Sequence, residues 1–211
     1  MKKNKIELVL TTVICLLPIV AGLAVYDRLP EVIATHWDAN GQPNGYASRA
    51  FAVFGLPALM AAINLLMRFT LSTDPKKANM SPVLRSISFW TVPVLSVLLS
   101  AVTLGVALGY RIDVTTFATV LVGVLFIVIG NYLPKTKQSY TMGIKLPWTL
   151  NSEENWNRTH RLAGFLWVIC GAVVLLCALL RCLPPWLLLG LILLMSMVPT
   201  IYSYLLYRKG I

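Results

Sequence analysis

Residues 114–134 read VTTFATVLVGVLFIVIGNYLP, and no charge interrupts these 21 residues. At a rise of about 1.5 Å per residue, a helix of that length covers a hydrocarbon core of about 30 Å. No water there satisfies backbone groups, so such a run must be helical. Asp113 and Lys135 bracket it. Five more uncharged runs repeat the layout: Leu8–Tyr26, Ala50–Met67, Ser86–Tyr110, Leu162–Leu180 and Cys182–Tyr207. The chain reads as an all-α, polytopic membrane helix bundle with six transmembrane helices.

Composition agrees. Of the 211 residues 57% are hydrophobic and 12% charged, whereas soluble domains carry about 25% charge. The net charge of +10 would suit nucleic acid, but its distribution follows the loops. The amino-terminal segment (Lys2, Lys3, Lys5), the second and fourth connections and the tail carry 14 basic residues, and the other connections carry 4. The positive-inside rule then places both termini in the cytoplasm. The partners expected are the lipid bilayer and its anionic headgroups, with no direct nucleic acid. The first run, at 19 residues, exceeds a signal-peptide core of about 7–15 and reads as a retained helix.

Inside the spans polar groups are few. Asn64 and Asn131 read as hydrogen-bond partners between helices, followed by Ser96, Ser100 and Thr103. No acid lies deep in a span, which argues against an ion-coupled transporter. Pro18, Pro57, Pro93 and Pro199 predict kinks. Cys15, Cys170, Cys177 and Cys182 form no C-x-x-C pair and read as small core hydrophobes, with Cys182 alone near the outer face, where oxidation can reach it.

Two connections carry the remaining information. The outer one, Asp27 to Arg49, reads DRLPEVIATHWDANGQPNGYASR. Val32 to Thr35 suit a short extended piece, and Asn40-Gly41 and Asn44-Gly45 are turn signals with Pro43 between them. The loop should be ordered, with a polar centre of His36, Trp37, Asp38 and Asn40. One His and one Asp are too few for a zinc site, and His160 falls on the opposite face in this topology. In the simplest reading Trp37 sits in the headgroup belt and Asp38 caps a turn; otherwise these four residues recognise an extracellular partner.

The inner connection runs into the fifth span. Gly143 to Thr149 should be irregular because Pro147 breaks it. Asn151 or Ser152 suits an N-cap, and Glu153 and Glu154 suit the first turn, so a helix should run from about Glu153 to Leu180. On it Trp156, His160, Gly164 and Trp167 share one face. Gly164 and Gly171 would let a neighbouring backbone come close. Arg158 and Arg161 would snorkel to phosphates. No metalloprotease motif, paired intramembrane carboxylates or nucleophile motif is present, so no enzyme, metal or cofactor is expected.

Both stretches carry a family resemblance. Leu29-Pro30-Glu31 with His36 to Gly45 resembles the small amino-terminal domain of unknown function found in SdpI-type membrane proteins. Gly143-Ile144-Lys145, Pro147 to Leu150, Ser152 to Trp156, Thr159 to Gly164 and Trp167 resemble the signature of the SdpI family itself. The resemblance implies a multi-pass plasma-membrane protein of a Gram-positive bacterium. It further implies immunity against a secreted, membrane-active toxin peptide, and a receptor that holds a transcriptional repressor at the membrane.

On this reading residues 1–75 form a two-helix region with an ordered extracellular loop, 27–49. Residues 76–211 form an SdpI-like four-helix region with a cytoplasmic motif loop, 135–161. Toxin recognition falls to His36, Trp37, Asp38 and Asn40. The cytoplasmic motif comprises Lys145, Pro147, Trp148, Ser152, Asn155, Trp156, His160, Arg161 and Gly164. The alternative function is a small transporter or export accessory for a peptide or lipid-like substrate, its polar lining built around Asn64, Asn131 and the prolines.

Overall fold

A computed structural model describes the backbone of residues 2–211 and the side chains from Lys5 onward. The side chains of Lys2 and Lys3, counted in the basic tally, lie outside the described residues. Among the described residues six helices are long and apolar enough to cross a membrane: α1 (Lys2–Ala24), α2 (Leu56–Thr73), α3 (Pro82–Ala107), α4 (Val114–Tyr132), α6 (Glu153–Leu179) and α7 (Pro185–Arg208). A short α5 (Pro147–Asn151) precedes α6, and two strands, β1 (Val32–Trp37) and β2 (Pro43–Ser48), separate α1 from α2.

The helix ends differ from the uncharged runs for physical reasons. Charge does not stop a helix, so α2 continues through Arg68 to Thr73. Capping and proline do set ends. Ser81 accepts the Leu84 N–H at 3.2 Å in front of Pro82, and α3 begins there. Pro184 is extended and Pro185 opens α7, so the last span starts after Cys182 rather than at it. Ahead of α2 the turn Phe51–Gly55 is widened, with the Leu56 N–H bonding the Phe51 carbonyl five residues back. Pro57, which has no N–H, follows immediately, and a wide turn accommodates its ring. Pro147, expected to break the chain, instead opens α5 at a position where its missing N–H costs nothing.

Packing divides the chain into two compact units, residues 1–72 with 85–115, and residues 73–84 with 116–211.

In the first unit α1, α2 and α3 join through polar groups. Asn64, fully buried, donates to Thr11 and Thr12 Oγ1 at 3.3 Å each. Arg68 lies 3.7 Å from Glu7, donates to Thr11 Oγ1 at 3.1 Å, and covers the Phe89 ring at 3.7 Å. This ion pair sits in the end turns of α1 and α2, outside the uncharged runs. Ser96 donates to the Cys15 carbonyl at 2.8 Å. Asn131, expected between helices, is exposed on α4.

In the second unit α4 and α6 cross at glycine. A Cβ on Gly171 would lie 2.8 Å from the Ile127 nitrogen, and one on Gly123 would lie 2.9 Å from the Leu175 nitrogen. Gly130 and Gly164 repeat this one level along, where a Cβ on either would lie within 3 Å of the other's carbonyl oxygen. Backbones approach this closely only where no side chain intervenes.

Candidate functional site

The first candidate is the β1–β2 ribbon. Its root is built into the first unit: Leu29, Ile33, Ala52, Val53 and Leu104 form one buried cluster. Arg49 holds the base. Its guanidinium donates to the Tyr26 and Leu29 carbonyls at 3.1 Å each, and stands 4.5 Å from the centre of the Tyr26 ring. At the tip, Asp38 Oδ1 accepts from the Asn40 and Gln42 N–H groups at 2.8 and 2.9 Å. Asp38 therefore holds the turn, with Gly41 at φ 77° inside it.

Asn44-Gly45 is not a second turn but part of β2. Gly45 faces His36 across the ribbon, where a Cβ would lie 2.8 Å from the His36 Cβ. The register slips between Ala34 and His36 and again between His36 and Trp37, so bulges twist the ribbon at its polar centre. His36 Nδ1 and Asn44 Oδ1 are hydrogen-bonded. His36 and Asn40 are exposed, and Trp37 and Asp38 are half-buried. Val32 and Tyr46, 60% and 61% exposed, add apolar surface to an ordered ribbon. Sequence reasoning passed over Tyr46; its signal was an aromatic among turn-forming residues.

The second candidate is a buried polar knot in the second unit. At its centre is Asp74, which sequence reasoning missed. Its carboxylate accepts from Ser139 Oγ at 2.6 Å, Thr141 Oγ1 at 2.5 Å, and the N–H groups of Lys76, Tyr140 and Thr141 at 2.7–3.1 Å. Burial by itself would raise the carboxyl pKa. The Ser139 and Thr141 hydroxyls and the Lys76 and Thr141 N–H groups outweigh it and hold the pKa at about 2. Gln138 extends the knot: it accepts from Lys76 Nζ at 2.9 Å and donates to the Thr149 carbonyl at 2.9 Å. Asp74 was legible as the one acid in a basic connection, ahead of a proline. Its partners, Ser139 to Thr141, carry no such mark.

The motif residues gather around this knot. Trp156 and His160 are fully buried and stacked, ring centres 4.0 Å apart. Trp156 donates to the Thr136 carbonyl at 2.7 Å. His160 Nε2 accepts the Ile144 N–H at 2.8 Å, and Nδ1 lies 2.8 Å from the Trp156 carbonyl. An acceptor at Nε2 leaves the proton on Nδ1, so these bonds select the neutral imidazole. Gly143, at φ 102°, passes directly over this pair, and a Cβ there would lie 2.6 Å from His160 Nε2.

Ser152 caps α6 by accepting the Asn155 N–H at 3.2 Å. Asn155 donates to the Ser203 and Ile211 carbonyls at 3.0 and 3.1 Å, and accepts from Ser203 Oγ at 2.8 Å. Trp148 stacks on Tyr207 with centres 5.9 Å apart. Gly164 packs on Pro134.

Pro147, Lys145 and Arg161 are exposed, so the knot does not enclose them. Arg158 and Arg161 instead line an open cleft of about 670 Å³ with Leu162, Phe165 and Tyr202. Among the described residues no three His, Cys, Asp or Glu side chains gather in a way that holds a metal ion.

The motif residues and the knot's Gln138, Ser139 and Thr141 lie within a stretch that matches a known family. Residues 135–203 match the model of the SdpI/YfhL protein family. Residues 13–61, which include the ribbon, match a domain of unknown function, DUF1648. A relative, Immunity protein SdpI of Bacillus subtilis (strain 168), is 28% identical over 176 residues, covering 82% of this chain and 80% of that protein. No solved structure matches. Its six spans and this similarity make the chain a multi-pass membrane protein.

Proposed function

We propose that this chain is an immunity protein that binds a secreted, membrane-active toxin peptide at the plasma membrane of a Gram-positive bacterium. It is a binding protein, not a catalyst. The observation that carries the reading is similarity over most of its length to a protein named for immunity. The ribbon supports the binding step. It is held at both ends by Arg49 and Asp38 and offers His36, Asn40 and Tyr46 to solvent. A surface already ordered loses little entropy when a peptide docks.

In the orientation taken from the basic residues the ribbon faces outward and the knot faces the cytoplasm. There Lys77, Lys145, Arg158 and Arg161 are exposed and suit a negatively charged surface on a repressor. Coupling the two faces requires two helix arrangements with different toxin affinity.

Expression in a toxin-sensitive strain should confer survival. Joint replacement His36→Ala and Tyr46→Ala, at unchanged membrane abundance, should lower the tolerated toxin concentration about tenfold, equivalent to about 1.4 kcal/mol of binding. Full resistance after Ala replacement of His36, Trp37, Asp38 and Asn40 together would remove the ribbon from the mechanism.

A further inference from the structure

The end of α6 reads CALLRC, Cys177 to Cys182. The chain leaves the helix through Arg181 at φ 55°, the one residue other than glycine with positive φ among those described. The Cys182 N–H donates to the Cys177 carbonyl at 2.9 Å, and the Arg181 N–H donates to the Ala178 carbonyl at 3.1 Å. This pair of bonds is a helix stop in which the residue after the left-handed one folds back onto the residue five positions earlier, and their side chains meet.

Here both positions are cysteine, and the 2.9 Å backbone bond between them sets their side chains beside each other. Both are free; Cys182 is exposed and Cys177 half-buried. The remaining cysteines, Cys15 and Cys170, are buried. The spacing, four residues between the two, gives no redox signature in the sequence; the turn creates the pair. The turn is also made without glycine, so its left-handed residue is strained and a covalent link there reinforces it.

We propose that Cys177 and Cys182 form a dithiol–disulfide site that exchanges with a disulfide-bearing oxidant. The exposed Cys182 thiol gives up its proton to solvent and attacks one sulfur of the oxidant, expelling the first oxidant thiol and leaving a mixed disulfide. Cys177, deprotonated in turn, attacks the Cys182 sulfur, closes the intramolecular bond and expels the second oxidant thiol. Two protein thiols are oxidised, one disulfide is reduced, and the released protons balance the departing thiolates. Closure locks the left-handed turn from which the chain enters Pro184-Pro185 and α7. Oxidation in the cell rests on the outward placement proposed above; the pairing itself does not.

The test treats the full-length protein in detergent micelles with excess oxidised glutathione, then counts thiols with a maleimide and measures intact mass. The expected result is the loss of two thiols with no adduct and no covalent dimer, reversed by dithiothreitol. Cys177→Ser should instead trap a glutathione adduct on Cys182, while Cys15→Ser and Cys170→Ser should behave as the unaltered chain. A stable adduct on Cys182 in the unaltered chain, disulfide-linked dimers, or four unreacted thiols would each overturn the site. Rapid alkylation of intact cells separates the second claim. A pair found reduced in cells yet closing in micelles overturns the outward placement and keeps the site.

Discussion

At the scale of single residues, the second unit hangs on Asp74. Its carboxylate gathers donors from its own connection and from residues 139–141, so one acid joins two loops far apart in sequence. Asp74→Asn puts an amide nitrogen against N–H donors and should cost about 1–3 kcal/mol of stability at neutral pH. The pH dependence has a definite sign. The folded pKa of about 2 lies below an unfolded value of about 3.9. The contribution is therefore complete above about pH 4 and is lost as pH falls toward 2. Thermal melts followed by tryptophan fluorescence should show the gap between the unaltered chain and Asp74→Asn narrowing across that window. A constant gap would mean the carboxylate's charge is not what holds the loops. Asp74 was missed because a carboxylate's worth depends on donors that only folding brings to it.

At the scale of elements, α4 and α6 meet through Gly123, Gly130, Gly164 and Gly171. The two glycines on α6 were visible as a small-residue face. Their counterparts on α4 sit seven residues apart in the same way, but nothing in α4 alone says which helix it meets. Gly171→Leu must move α4 away or fail, since a Cβ already contacts backbone at 2.8 Å. It should destabilise the protein by at least about 2 kcal/mol, read as a lower midpoint in denaturant titration of the purified protein. Gly190→Leu, at a site where a Cβ meets nothing within 4 Å, should leave the midpoint unchanged. Equal loss at both positions would show that the tight crossing is not the cause. The ribbon teaches the converse lesson. Asn44-Gly45 reads locally as a turn, yet the facing His36 turned it into strand.

At the scale of the whole molecule, six spans put the first, third and fifth connections on one side of the bilayer and the termini on the other. The orientation proposed above takes the side richer in basic residues as the inner one. A single cysteine at Asn40, in a chain with its own cysteines replaced by serine, should react with a membrane-impermeant maleimide in intact cells. One at Asn157 should react only after the cells are opened. The reverse pattern would invert the orientation and end the proposal that a toxin meets the ribbon from outside.

The spans, a cap at Asn151 or Ser152 ahead of α6 and the shared face of Trp156, His160 and Gly164 were determined by sequence alone; the fold chose Ser152. Hydrocarbon thickness, orphan N–H groups and the 3.6-residue turn are local constraints that each residue run meets by itself. Tertiary structure decided the Asp74 knot, the neutral state of His160 under Ile144, the Arg68–Glu7 pair and the meeting of Cys177 with Cys182. In each, a polar or reactive atom takes its role from a partner that the chain brings near only after its helices have packed.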